Sequence, residues 1–249
     1  MIKHLTIGKT LRSTVLMLFL MLFITALVMF TTELTSFAGE RLYTFDTDDA
    51  WELYEGDWNG ANWKVENGEL TFQGTTDNAS ILVMKESEQI KSHDGMTIEV
   101  DCFDVADGPW QNFGVVWSCL DDEKSAYSAM GLIQSEATRL EEVDLTSGTR
   151  NTVLDSGSQY SPRRWYTMRL EIRDGALIVF SAEKGQELEE KVNHAFGQSI
   201  PLGGRIGFAV SNSVSKFDNL KVSGPEIMEM SVDPGSKLLA TWAAIKSAY

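Results

Sequence analysis

Apolar residues recur at every second position, in run after run, from Arg41 to about Val222, with Gly, Asp, Asn and Ser turns between the runs. Period two places successive side chains on opposite faces of an extended chain, so each run reads as a strand with one apolar face. In ANWKVENGELTFQG, a two-residue turn at Asn67 and Gly68 puts Trp63, Val65, Leu70 and Phe72 on one face. That face is core, so Trp63 packs. The device repeats downstream: Met168, Leu170 and Ile172 alternate, Asp174 and Gly175 turn, and Leu177 and Val179 return on the same face. Ile178 and Phe180 then point the other way and need cover. Other strands are predicted at LYTF, ASILVMK, YSAMGLI, RLEEVDL, TVLD and RIGFAV. Before residue 224 only the short QELEEKVNHAF has helical spacing. About a dozen short strands of this kind predict an all-β fold, a two-sheet antiparallel β-sandwich or jelly roll.

One irregularity stands out in GRIGFAVSNSVSKFDNLKVSG, residues 204 to 224. Ile206, Phe208 and Val210 alternate cleanly, yet Phe217 and Leu220 lie three apart. Same-face residues of a strand are an even number apart, so an extra residue, a β-bulge, is predicted near Asp218 and Asn219.

The ends of the chain read differently. Lys3, Lys9 and Arg12 precede an apolar run from Val15 to Phe30, and SFA closes the stretch at 36 to 38. That order is a secretory signal over residues 1–38 with cleavage before Gly39. The alternative is an uncleaved anchor, for which the run is short of the ~20 residues a bilayer needs. Either way the rest is expected outside the cytoplasm, secreted, periplasmic or in the cell envelope. Residues 39–249 carry 18 basic against 35 acidic side chains. So acidic a surface argues against nucleic acid and anionic lipid, leaving membrane contact only through an uncleaved leader. Residues 39–224 form the predicted domain. Residues 225–249 read as a linker and a short amphipathic helix with Leu238, Trp242, Ile245 and Tyr249 on one stripe. A helix this short is marginal alone, so residues 237–249 dock on their own sandwich or on a protein partner.

Cys102 and Cys119 lie in MTIEVDCFDV and FGVVWSCL, and strict alternation turns both sulfurs toward the core. An oxidising compartment favours a disulfide, although two buried thiols would give the same pattern. His93 and His194 have no partner at metal-ligand spacing, and no nucleophile elbow or phosphate loop is present.

YTFDTDDAWELYEGDWN, VENGELTF, NFGVVWSCLDDEKSAYSAMGL and GGRIGFAVSNSVSKFDNLKV occur in that order. Together they resemble the concanavalin A-like lectin/glucanase superfamily, in particular its LamG-like and 3-keto-disaccharide hydrolase-type domains. The resemblance implies a jelly-roll sandwich over about 41–224 and a structural calcium ion held by Asp46 and Asp218. The alternative for Asp218 is a cap on its own turn. Glycosidases of this fold place alternating carboxylates on one strand, which points to Glu99 and Asp101 in EVDCFD as a catalytic pair if the chain is an enzyme; the third position holds Asp104, shorter and out of place. A glycan-binding face is better supported. Glu99, Asp101, Ser118 and Tyr127 are expected on one concave surface, with Trp110 as exposed aromatic platform and Asn112 beside it. The expected function is an exported carbohydrate-recognition or structural module of the envelope, with a glycosidic hydrolase and a protein adhesion module as alternatives.

Overall fold

The computed structural model describes residues 39–46, 50–53, 62–74, 80–85, 87, 90–105, 111–120, 124–158, 160–196, 203–211, 213–225 and 227. The expected signal segment (residues 1–38), Trp110 and the segment expected to form a C-terminal helix (residues 237–249) lie outside these residues.

The described residues form fifteen strands and no α-helix: β1 (Gly39–Tyr43), β2 (Trp51–Leu53), β3 (Asn62–Glu66), β4 (Glu69–Gln73), β5 (Ser80–Met84), β6 (Met96–Asp104), β7 (Asn112–Leu120), β8 (Ser125–Leu132), β9 (Ala137–Asp144), β10 (Arg150–Gly157), β11 (Trp165–Arg173), β12 (Ala176–Glu183), β13 (Glu189–Ala195), β14 (Arg205–Val210) and β15 (Val214–Gly224). Sheet I runs β13-β12-β11-β6-β15-β4-β3, with β1 also on β15. Sheet II runs β10-β9-β8-β7-β14-β5-β2, and every pairing is antiparallel. The expected β-sandwich is therefore the fold.

Alternation builds the core between the sheets. Leu70, Phe72, Met96, Ile98, Val100, Met168, Leu170, Val179, Phe217 and Leu220 from sheet I face Leu82, Phe113, Val115, Trp117, Phe208 and Val210 from sheet II. Both anticipated hairpins form, with Asn67 and Asp174 at φ 55° and 52°, the left-handed conformation their turns require. Trp63 packs on Phe72, ring centroids 4.9 Å apart, and its indole N–H donates to Ser80 Oγ at 2.9 Å.

The bulge in β15 is present. Asn219 has φ 52° and the register with β6 shifts between Asp218 and Lys221. Its position has a structural reason. Val214–Phe217 pair with β4, whereas Leu220–Gly224 pair with β1, so the extra residue sits where β15 changes neighbours.

Three expectations fail. QELEEKVNHAF contains strand β13, which pairs with β12 and buries Val192; a sheet partner outweighs the weak helical spacing of a segment too short to hold a helix alone. The second is the single surface expected for Glu99, Asp101, Ser118 and Tyr127, which needs β6 and β7 in one sheet: the two strands are consecutive but do not pair. The chain crosses from sheet I to sheet II after Asp104, a span of about 10 Å between packed sheets. A buried polar cluster marks the crossing: Ser213 Oγ donates to the Asp104 carboxylate, Asn112 Nδ2 donates to Ser211 Oγ at 2.9 Å, and Ser215 Oγ donates to the Asn112 carbonyl at 2.9 Å.

The third failure is the cysteine pair. Cys102 lies in the core between the sheets as expected, but Ser118 has φ 52° and shifts the register of β7, turning Cys119 to the opposite face of sheet II. The thiols are buried on different sides of that sheet and form no disulfide. Burial first, then the neighbouring Asp101 carboxylate, push the Cys102 thiol well above its ordinary value, so it is a poor nucleophile.

That opposite face of sheet II is apolar too. Ile81, Val83, Val116, Cys119, Ala126, Met130 and Ala209 are all at most 1 % exposed there. On β9, next to the edge strand β10, sits Glu141, 2 % exposed, with Arg150 at 3.5 Å and Arg139 at 3.9 Å. Burial raises the Glu141 carboxyl from its ordinary 4.5, and the arginines pull it only part of the way back. A carboxyl raised on folding stabilises the fold while protonated, and that contribution is lost as pH rises from the unfolded value through the folded one. Chemical unfolding at successive pH values checks this: from about pH 4 to about pH 7, Glu141→Gln should gain stability relative to the parent. A constant difference would contradict it.

Candidate functional site

The crossover after Asp104 decides where polar side chains can gather. Glu99 and Asp101 lie on the outer face of sheet I, whereas Ser118 and Tyr127 belong to sheet II. Tyr127 stacks on Trp117 at 5.7 Å, and Ser118 Oγ is buried and donates to the Gly203 carbonyl at 2.9 Å. Asn112 is 1 % exposed within the crossover cluster. The surface expected to unite these residues with Glu99 and Asp101 does not form. Asp104 is fully buried and takes no part in a carboxylate row with Glu99 and Asp101.

Around Asp101 a different constellation assembles. Its Oδ1 accepts from Thr167 Oγ1 on β11 at 2.7 Å. Its Oδ2 accepts from Lys184 Nζ at 2.7 Å and from Asn219 Nδ2 at 3.0 Å. The bulge gives Asn219 that reach: out of register, its side chain bridges Asp101 and Asp218, which lies directly across from Asp101. Asp101 is 7 % exposed, so the three donors fix its geometry.

Beside this carboxylate stand two aromatic rings, Phe103 on β6 and Trp165 on β11. They are cross-strand partners with centroids 5.1 Å apart and an interplanar angle of 38°. Both are half-buried. Lys184 lies 5.3 Å from the Trp165 ring centre while it binds Asp101, so one ammonium joins the rings to the carboxylate. Lys216, paired to Glu69 at 2.6 Å, flanks Phe103 on the next strand, and Glu99 is held by Arg169 at 2.6 Å. The result is an aromatic platform beside fixed donors and acceptors. Neither Trp165 nor Phe103 is among the site residues expected from the sequence. Parity carried the signal: each is an odd number of residues from the core positions Cys102 and Met168, so each faces outward.

Asp218 behaves as the turn cap. Its Oδ1 accepts from the Asn219 backbone N–H at 2.7 Å and its Oδ2 from the Asn219 side chain at 2.9 Å. Asp46 accepts from Thr44 Oγ1. Among the described residues no group of three or more His, Cys, Asp or Glu converges as a metal cage.

Two of the clefts formed by described residues lie elsewhere. One of about 820 Å³ is lined by Ser158, Tyr160, Tyr166, Ser181, Glu183 and Lys191 among others. Its floor is the edge-on pair Tyr160 and Tyr166, 4.9 Å apart and each 5 % exposed, so neither ring offers a face. The other, about 270 Å³, opens between β2 and β3 beside Trp51 and Trp63.

No family model matches the sequence, and no curated protein matches it. Solved structures do. The carbohydrate-binding module CBM66 from Bacillus subtilis is similar at TM-score 0.55 and 13 % identity, over 69 % of this chain and 94 % of that one. A Bacillus subtilis protein of unknown function with a galectin-like fold is similar at 0.52 and 12 %, over 74 % and 96 %. The exoplasmic/lumenal domain of VIP36 in its Ca²⁺/mannose-bound form is similar at 0.51 and 9 %, over 74 % and 86 %. Likeness at these identities establishes a common architecture, the two-sheet antiparallel β-sandwich.

Proposed function

We propose that this chain is an exported carbohydrate-recognition module of the cell envelope and that it binds glycan on the outer face of sheet I. The observation that carries this is the Phe103–Trp165 platform set against the fixed carboxylate of Asp101. Aromatic faces cover the apolar C–H surface of a pyranose, and a held carboxylate accepts from its hydroxyls. Similarity to a carbohydrate-binding module and to the exoplasmic/lumenal domain of VIP36 in its Ca²⁺/mannose-bound form supports the reading. The acidic balance of the chain favours neutral over anionic glycans. Binding is favoured over hydrolysis of the LamG-like or 3-keto-disaccharide hydrolase type, because Glu99 and Asp101 are each tied to a cation and Asp104 is enclosed. Affinity electrophoresis in gels containing neutral or acidic polysaccharides tests it. Retardation by a neutral polysaccharide, lost in Asp101→Ala, is the expected result; equal mobility in every gel contradicts it.

The calcium reading has its own test. The Asn219 contacts support Asp218 as a bulge cap, so the unfolding temperature in excess calcium should equal that in chelator. A rise of several degrees, abolished by Asp218→Asn or Asp46→Asn, would place the ion there.

A further inference from the structure

The outer face of sheet II has an interface's composition. Its centre crosses four strands: Ile81 and Val83 on β5, Gly207 and Ala209 on β14, Gly114 and Val116 on β7, Ala126, Ser128 and Met130 on β8. The floor is low because Gly114 and Gly207 carry no side chain. A Cβ at Gly114 would meet Met130 Sδ at 2.0 Å, so the methionine lies across it. Ion pairs border the apolar centre, Arg139 with Asp155 at 2.7 Å on one side and Arg205 with Glu52 on the other. An apolar middle inside a polar rim is how buried interfaces are built. Yet these residues are already buried, and every described strand belongs to one of the two sheets, leaving none to lie over the face.

We propose that residues 237–249 dock on this face as an amphipathic helix and close it. The stripe Leu238, Trp242, Ile245 and Tyr249 spans eleven residue steps, about 17 Å of helix, and four strands span about 14 Å between outer axes. From Ile227, the last described residue, to Leu238 the chain can extend about 36 Å, ample to round a sandwich whose sheets are about 10 Å apart. This occupant is independent of the glycan platform on the other sheet.

Cys119 supplies the reporter, since it lies in the outer-face cluster while Cys102 lies between the sheets. In the full-length chain both thiols should resist a water-soluble aromatic disulfide reagent. Leu238→Asp with Trp242→Asp should make one thiol react at least about tenfold faster, a gain removed by Cys119→Ser. A Cys119 that reacts rapidly in the parent, or one unchanged in the double variant, overturns the proposal. A second measurement does not depend on the variant's stability. With Cys102→Ser in the full chain, cysteines placed singly at 238, 242 and 245 should yield a disulfide to Cys119 at one position or more under mild oxidant. Failure at all three overturns it.

Discussion

Trp165→Ala is expected to weaken binding to a neutral polysaccharide by about 30-fold, the equivalent of the ~2 kcal/mol that an aromatic anchor contributes to a recognition surface. The unfolding temperature should move by only a few degrees, because the ring is half-buried and its neighbours Phe103, on β6, and Lys184, in the turn after β12, keep their own backbone positions. Trp165→Phe should recover part of the affinity, since a smaller ring still offers a face to a sugar. The measurement is a pair of isotherms on one immobilised polysaccharide with calorimetry on the same samples. Unchanged affinity in the alanine variant would remove the platform from the account. A fall in affinity matched by loss of the folded state would make Trp165 a packing residue.

The largest effect on stability is expected at Phe208. It is fully buried in β14, with Phe217 at 4.3 Å, Trp51 at 5.3 Å and Phe45 at 6.1 Å between ring centres. Phe217 belongs to sheet I and Trp51 to sheet II, so the side chain is a bolt between layers. Phe208→Ala should cost about 3–5 kcal/mol through lost transfer energy and the cavity left behind. At roughly 2–4 °C per kcal/mol for a domain of this size, the unfolding temperature falls by about 6–20 °C. Denaturant titration checks it, and a loss below about 1 kcal/mol would mean that the aromatic cluster collapses without penalty.

The fold was legible because alternation is local. Met168, Leu170 and Ile172 announce their face within five residues, and Asn67-Gly68 and Asp174-Gly175 announce their turns within two. The bulge at Asn219 was legible for the same reason, since a slip from even to odd spacing shows within the strand. What lay beyond local pattern was which sheet each strand joins. Consecutive strands are usually neighbours, and the crossing between Asp104 and Asn112 breaks that expectation. One topological error therefore separated Glu99 and Asp101 from Ser118 and Tyr127. Ser118 broke a second expectation: nothing in FGVVWSCL marks a left-handed serine, so Cys119 was assigned to the wrong face. Asp101 was singled out correctly as outward-facing and polar, but its partners Thr167, Lys184 and Asn219 come from strands and turns 66 to 118 residues away in sequence. Only the paired sheet brings them together.

The account turns on glycan meeting the outer face of sheet I. Amide chemical shifts of the labelled protein, followed while a neutral oligosaccharide from the retarding polysaccharide is added, test this most directly. Saturable changes centred on Phe103, Trp165, Thr167, Lys184 and Asn219 are the predicted result. Changes confined to the cleft around Ser158 and Tyr160, or to the outer face of sheet II around Met130, would contradict it.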